Sequence, residues 1–150
     1  MKNYYTKMKL PEPLVPALQA LSLLKGQTAL VTGANSGIGR AIAVSLGRAG
    51  ANVVVNYVVK PEEAEAVVVE IQGGGGHAVA IRADVGDEAQ VVAMFAEAVK
   101  AFGTVDILVS NAGIQIVAPI EEFKFADWKK LLAVHLDGGF RTSRAAVRQM

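Results

Sequence analysis

The chain has no cysteine among its 150 residues. Disulfides, thiolate nucleophiles and cysteine metal sites are therefore excluded, and the composition is compatible with a reducing, cytoplasmic setting. Charge bias is also missing. The formal net charge is +1, with acidic and basic residues scattered along the sequence, so no long-range field marks a nucleic-acid or anionic-membrane partner. No apolar run approaches the roughly 18 residues that a membrane span needs, although 52% of the residues are hydrophobic. That excess belongs in a buried core, and the length suits one domain burying roughly 70% of its unfolded surface. Residues 1–24 carry lysines near the start, but Pro11, Pro13 and Pro16 interrupt their apolar part and no small-residue cleavage site follows. They read as an N-terminal extension and not a signal peptide, with a short helix or docked arm expected over Leu14 to Leu24.

What is present is a rhythm. Four apolar runs rich in β-branched residues, Thr28 to Thr32, Asn52 to Tyr57, Ala78 to Ala83 and Val105 to Ser110, alternate with helical patterns. Such alternation predicts an α/β fold with a parallel sheet. The first helical pattern places Ile38, Ile42, Leu46 and Ala49 on one stripe before Gly50. The second begins at Pro61 with Glu62 and Glu63 and stops at Gly73 to Gly76. The third places Val91, Val92, Phe95, Val99 and Phe102 in the core before Gly103. A last pattern from about Asp127 carries Trp128, Leu131, Leu132, His135, Gly139 and Thr142 along one face. The fourth run, "VDILVS", is nearly continuous in apolar residues, as strands covered on both faces are. In a sheet ordered 3-2-1-4 it would lie at an edge, an aggregation liability, so the four strands are expected to be part of a larger domain.

Between the first strand and its helix stands "TGANSGIGR", with glycines at 33, 37 and 39. Gly33 permits a sharp turn, and Gly37 and Gly39 remove side chains where a diphosphate and the neighbouring strand must come close. The amides opening the next helix then face an anion. The spacing is not that of a P-loop, since no Gly-Lys-Ser/Thr follows.

These residues resemble the short-chain dehydrogenase/reductase family, whose T-G-x-x-x-G-I-G motif is matched by Thr32, Gly33, Gly37, Ile38 and Gly39. The resemblance extends over residues 25–150, with Asp84 in "ADV" after the third strand and Asn111, Ala112 and Gly113 in "SNAGI" after the fourth. It implies a Rossmann-like sheet with helices on both faces, and an NAD(P)-binding domain over 25–150. The cofactor-binding residues implied are Gly33, Asn35, Ser36, Gly37, Ile38, Gly39, Asn56, Asp84, Val85, Asn111, Ala112 and Gly113. Asp84 would bind the adenine amino group. Each also has a plain structural reading, Asp84 as a turn before a helix and Asn111 to Gly113 as a strand-ending turn.

The choice of dinucleotide stays open between NAD and NADP, with a lean to NADP. A carboxylate about 20 residues past the glycines normally binds the ribose hydroxyls of NAD, and here Asn56 and Tyr57 stand in that region. Arg40 and Lys60 are the cations that could meet a 2′-phosphate, or else solvated surface charges. The substrate cues conflict. "IQIVAPIEEF" is similar to 3-hydroxybutyrate dehydrogenases, in which a glutamine at the position of Gln115 contacts the substrate carboxylate, while "VVVNY" is similar to glucose 1-dehydrogenases.

For its chemistry the family resemblance implies an Asn-Ser-Tyr-Lys set acting on a hydroxyl or carbonyl substrate, with the tyrosine and lysine four apart on a later helix. The sequence reaches Met150 before that helix, and His135 stands where the family has its asparagine. His135 reads either as a buried, hydrogen-bonded structural histidine or as a substitute relaying protons. Tyr5 and Lys9 have the spacing by coincidence, ahead of the first strand. Neither His135 nor His77 suggests a metal site. The expectation is a cofactor-binding half of an oxidoreductase, inactive alone and able to pair with a second copy through its last helix. The alternative is a non-catalytic dinucleotide-binding or interaction module.

Overall fold

A computed structural model describes residues 22–150. Tyr5, Lys9 and nearly all of the proposed Leu14 to Leu24 helix lie outside the described residues, and 23–26 form a turn. The strands are β1 (Thr28–Val31), β2 (Asn52–Tyr57), β3 (His77–Arg82) and β4 (Ile107–Val109). They form one parallel sheet in the order β3-β2-β1-β4. Between them run α1 (Gly37–Arg48), α2 (Pro61–Gly73) and α3 (Glu88–Phe102). After β4 comes one continuous helical stretch, α4 (Phe125–Leu132), a π-helical turn (Ala133–Asp137) and α5 (Gly138–Val147).

The period of 2 along each strand sorts the core into two layers. Ala29, Val31, Val53 and Val55 face α1 and α2 with Ala43, Val67 and Ile71. Leu30, Val54 and Ile81 face α3 and α5 with Val91, Met94, Phe95 and Ala146. The Rossmann-like arrangement expected from the βα rhythm is the one observed, with the two ladders of β1 fixing β2 and β4 on either side of the glycine loop.

Three helix faces differ from the sequence expectation. In α1 the buried positions are Gly39, Ala43, Val44 and Gly47, and Ile38 is 75% exposed. Small residues form this face because α2 packs closely: a Cβ on Gly47 would lie 2.7 Å from Ile71. A hydrophobic stripe cannot register an interface made of glycine and alanine. In α3 the core residues are Val91, Met94, Phe95 and Ala98, whereas Val92 is exposed; Val92 sits about 100° around the helix from Val91. In the last stretch the π-helical turn adds a residue to the turn. Gly138, Thr142 and Ala146 are buried, Thr142 as expected, while Trp128 and His135 are exposed. Among the described residues no helix is long and apolar enough to cross a membrane.

Candidate functional site

The glycine loop leaves β1 at Val31 and enters α1 at Gly37. Gly33 (φ 62°) and Gly37 (φ 54°) are left-handed, a conformation that side chains disfavour. Gly39 serves a different need: a Cβ there would strike the carbonyl oxygen of Gly33 and come 2.5 Å from Asn111 Nδ2. Ser36 makes no capping hydrogen bond at the start of α1, and the first turn holds no acidic residue. The amides of that turn lack helical partners, so the positive end of the helix dipole is left for an outside anion.

Two asparagines hold this loop in place. Asn111 Nδ2 donates to the carbonyls of Thr32 (2.8 Å) and Gly33 (3.2 Å). The buried Thr32 hydroxyl accepts the amides of Asn111 and Ala112, each at 2.9 Å, and donates to the Val109 carbonyl at 3.3 Å. From the other side Asn56, also buried, accepts the Gly33 amide at 3.2 Å and donates to the carbonyls of Ile81 (3.2 Å) and Ala83 (3.0 Å). The loops after β1, β3 and β4 are thereby fixed to one another.

Together they border a groove of about 360 Å³ at the carboxyl ends of the strands, where open α/β sheets bind ligands. Gly33 and Asn35 line it from the glycine loop, Val58 and Val59 from the end of β2, Asp84 and Val85 from the end of β3. Ala112, Gly113 and Ile114 form the β4 side, with Lys130 and Val134 opposite on the helix. Asp84 Oδ1 accepts the Gly86 amide at 2.8 Å, and the Asp84 amide donates to Gln90 Oε1 at 2.9 Å. It is thus both a turn residue and part of the groove wall. Asp87 caps α3, accepting the Gln90 amide at 3.1 Å. That amide bond first, and the Gln90 side-chain amide second, hold the Asp87 carboxyl below the usual carboxylate range.

Of the site residues expected from sequence, Gly33, Asn35, Asp84, Val85, Ala112 and Gly113 line the groove. Ser36, Gly37 and Gly39 shape the entry to α1. Asn56 and Asn111 stand behind the wall with their carboxamides engaged by protein partners. Ile38 is exposed beside Ile42 and Leu46, which are half-buried and pack against the core, and Gln115 is exposed just past the groove-lining Ile114. Arg40 pairs with Glu70 (2.6 Å) and Lys60 with Glu63 (2.6 Å), whose other oxygen accepts from Asn35 Nδ2 at 3.4 Å. The Glu63 hydrogen bond raises the Lys60 pKa. His135 is exposed, contrary to the buried alternative, and its Nε2 lies 2.8 Å from the Ile114 carbonyl oxygen. Sequence reasoning missed Val58, Val59, Ile114, Lys130 and Val134 as groove walls. The apolar run continuing past Tyr57 was the available signal for the two valines.

The family model described as short chain dehydrogenase matches residues 27–150. Versicolorin reductase 1 of Aspergillus parasiticus is 46% identical over 127 residues, 85% of this chain and 48% of that protein. A dehydrogenase/reductase from Sinorhizobium meliloti has a similar structure, with TM-score 0.84 and 45% identity over 88% of this chain and 52% of that one. A short chain dehydrogenase from Burkholderia cenocepacia, solved in complex with NADP, gives TM-score 0.83 and 39% identity over 85% of this chain and 52% of its own. The chain spans about half the length of the curated relatives it matches.

Proposed function

This chain belongs to the short-chain dehydrogenase family, and from that premise we propose that it binds NAD(P) across the groove and supplies the cofactor-binding part of an oxidoreductase acting on a hydroxyl or carbonyl substrate. The observation carrying this reading is the uncapped N-terminus of α1, locked by Thr32, Asn111 and Asn56 beside a groove at the strand ends. The first-turn amides and Gly37 would receive the diphosphate. Asp84, with Oδ1 occupied by the Gly86 amide, has Oδ2 to accept from the adenine amino group. Val85 and Val134 supply apolar walls. When bound, the nicotinamide supplies the hydride acceptor or donor.

The lean to NADP rests on chemistry at the end of β2. No carboxylate stands at Asn56 or Tyr57 to repel a 2′-phosphate, and the Burkholderia cenocepacia relative was solved with NADP. Arg40 and Lys60 hold exposed ion pairs with side chains 51% and 59% accessible. Such exposed pairs are weak and screened by solvent, so a phosphate dianion can compete for either cation.

Residues 25–150 contain no Tyr-x-x-x-Lys, and the proton transfer is assigned to no residue of this chain. Calorimetric titration with NADPH and NADH, followed by an assay for dehydrogenase turnover, tests the reading. Saturable binding, tighter for NADPH and without turnover, is the expected result. A folded protein that binds neither nucleotide contradicts it.

A further inference from the structure

We infer that His135 is a positioning residue for the groove, clasping the backbone of Ile114 and seating Gly113 so that the loop after β4 takes its groove-lining shape. This rests on the dinucleotide reading of the groove, but its geometry stands apart from the glycine loop. The His135 Nε2 lies 2.8 Å from the Ile114 carbonyl oxygen and 3.1 Å from the Ile114 amide nitrogen. A protonated Nε2 donates to the first and a bare Nε2 accepts from the second, so either tautomer ties the ring to the same residue.

Gly113 supplies the complementary half. A Cβ there would lie 2.8 Å from His135 Cε1, inside any tolerated contact. Gly113 is absent from the left-handed glycines, so what the position requires is room for the ring. The π-helical turn Ala133–Asp137 contains His135. It gives that side chain a face toward the loop while Gly138, Thr142 and Ala146 remain on the core side. Such turns recur at functional sites. On either side of the clasp, Val134 and the Ala112 to Ile114 backbone line the groove. The imidazole therefore acts through the loop.

Reach discriminates the substitutions. A glutamine amide nitrogen is three bonds from Cβ, as Nε2 is, whereas an asparagine amide is one bond short. With the ring exposed, the clasp governs loop shape more than global stability. The test measures NADPH affinity by fluorescence, thermal midpoint, and exchange of the Ile114 amide in the full chain. His135→Ala is expected to weaken binding roughly tenfold, the worth of about one good hydrogen bond, with a nearly unchanged midpoint and faster Ile114 exchange. His135→Gln restores most of both, and His135→Asn restores less. Gly113→Ala weakens binding beside His135 but adds little in the His135→Ala background, the non-additivity of a direct contact. Wild-type affinity in a folded His135→Ala variant overturns the inference, as does an equal cost of Gly113→Ala in both backgrounds. If the wild type binds no dinucleotide, the functional reading of the groove fails, and Ile114 exchange still decides the clasp. Unchanged exchange in His135→Ala then overturns it.

Discussion

Thr32 and Asn111 hold each other reciprocally: the Asn111 carboxamide donates to the Thr32 carbonyl at 2.8 Å, and the Thr32 hydroxyl accepts the Asn111 amide at 2.9 Å. The first bond fixes the glycine loop and the second fixes the loop after β4. Neither side chain needs to touch a ligand to decide whether the groove exists.

Thr32→Val keeps the side-chain volume and removes the acceptor of two amides. The expected loss is about 1–3 kcal/mol, the cost of leaving partly buried donors unmet. Urea unfolding monitored by circular dichroism measures it. A change below about 0.5 kcal/mol, the level of an ordinary surface substitution, would show that the loops do not depend on the latch.

Asn56→Asp tests the other side of the loop. The carboxylate retains an acceptor for Gly33 but loses the donors to Ile81 and Ala83, and places charge against their carbonyls in a buried site. Destabilisation of about 2 kcal/mol or more is expected, without improved NADH binding. A stable variant with a preference for NADH would mean that residue 56 faces the ribose directly.

The strands were legible because apolar runs are local signals, whereas Asp84 and Ala112 were singled out by the family resemblance, and they line the groove together with Gly33 and Gly113. Asn56 and Asn111 were expected as cofactor-binding residues and not as braces, because their partners lie 23 to 27 and 78 to 79 positions away. The faces of α1 and the last helix were misread for different reasons. Close packing at Gly39 and Gly47 selects small residues over hydrophobic ones, and the π-helical turn at Ala133–Asp137 departs from the 3.6-residue period on which the stripe was read.

Asp87 predicts an acid-side effect. Its carboxyl titrates below the usual range because the Gln90 amide bonds the charged form. A depressed folded value contributes stability that is present above the unfolded value of about 4 and lost as pH falls through the folded one. Stability measured from neutral pH into acid should therefore fall less steeply in Asp87→Asn than in the wild type, since asparagine also caps helices. Identical slopes would remove Asp87 from the acid response.

Gly39→Ala brings a methyl group against the Gly33 carbonyl. The helix favours alanine by about 1 kcal/mol, so the variant should remain folded while the glycine loop is displaced and NADPH affinity falls at least about tenfold, or 1.4 kcal/mol. Calorimetry beside a thermal melt separates the two effects. Unaltered affinity would mean that the loop tolerates displacement.

The most direct test of the dinucleotide assignment is NADPH titration of the wild type and Gly37→Val. Among the described residues, no atom beyond its chain neighbours and its own helix backbone lies within 4 Å of a Cβ built on Gly37, and its φ is 54°, so the valine intrudes on the ligand's approach and strains only its own backbone. The account predicts saturable binding to the wild type and its loss in a folded variant. No binding by the folded wild type, or equal binding by both proteins, would contradict it.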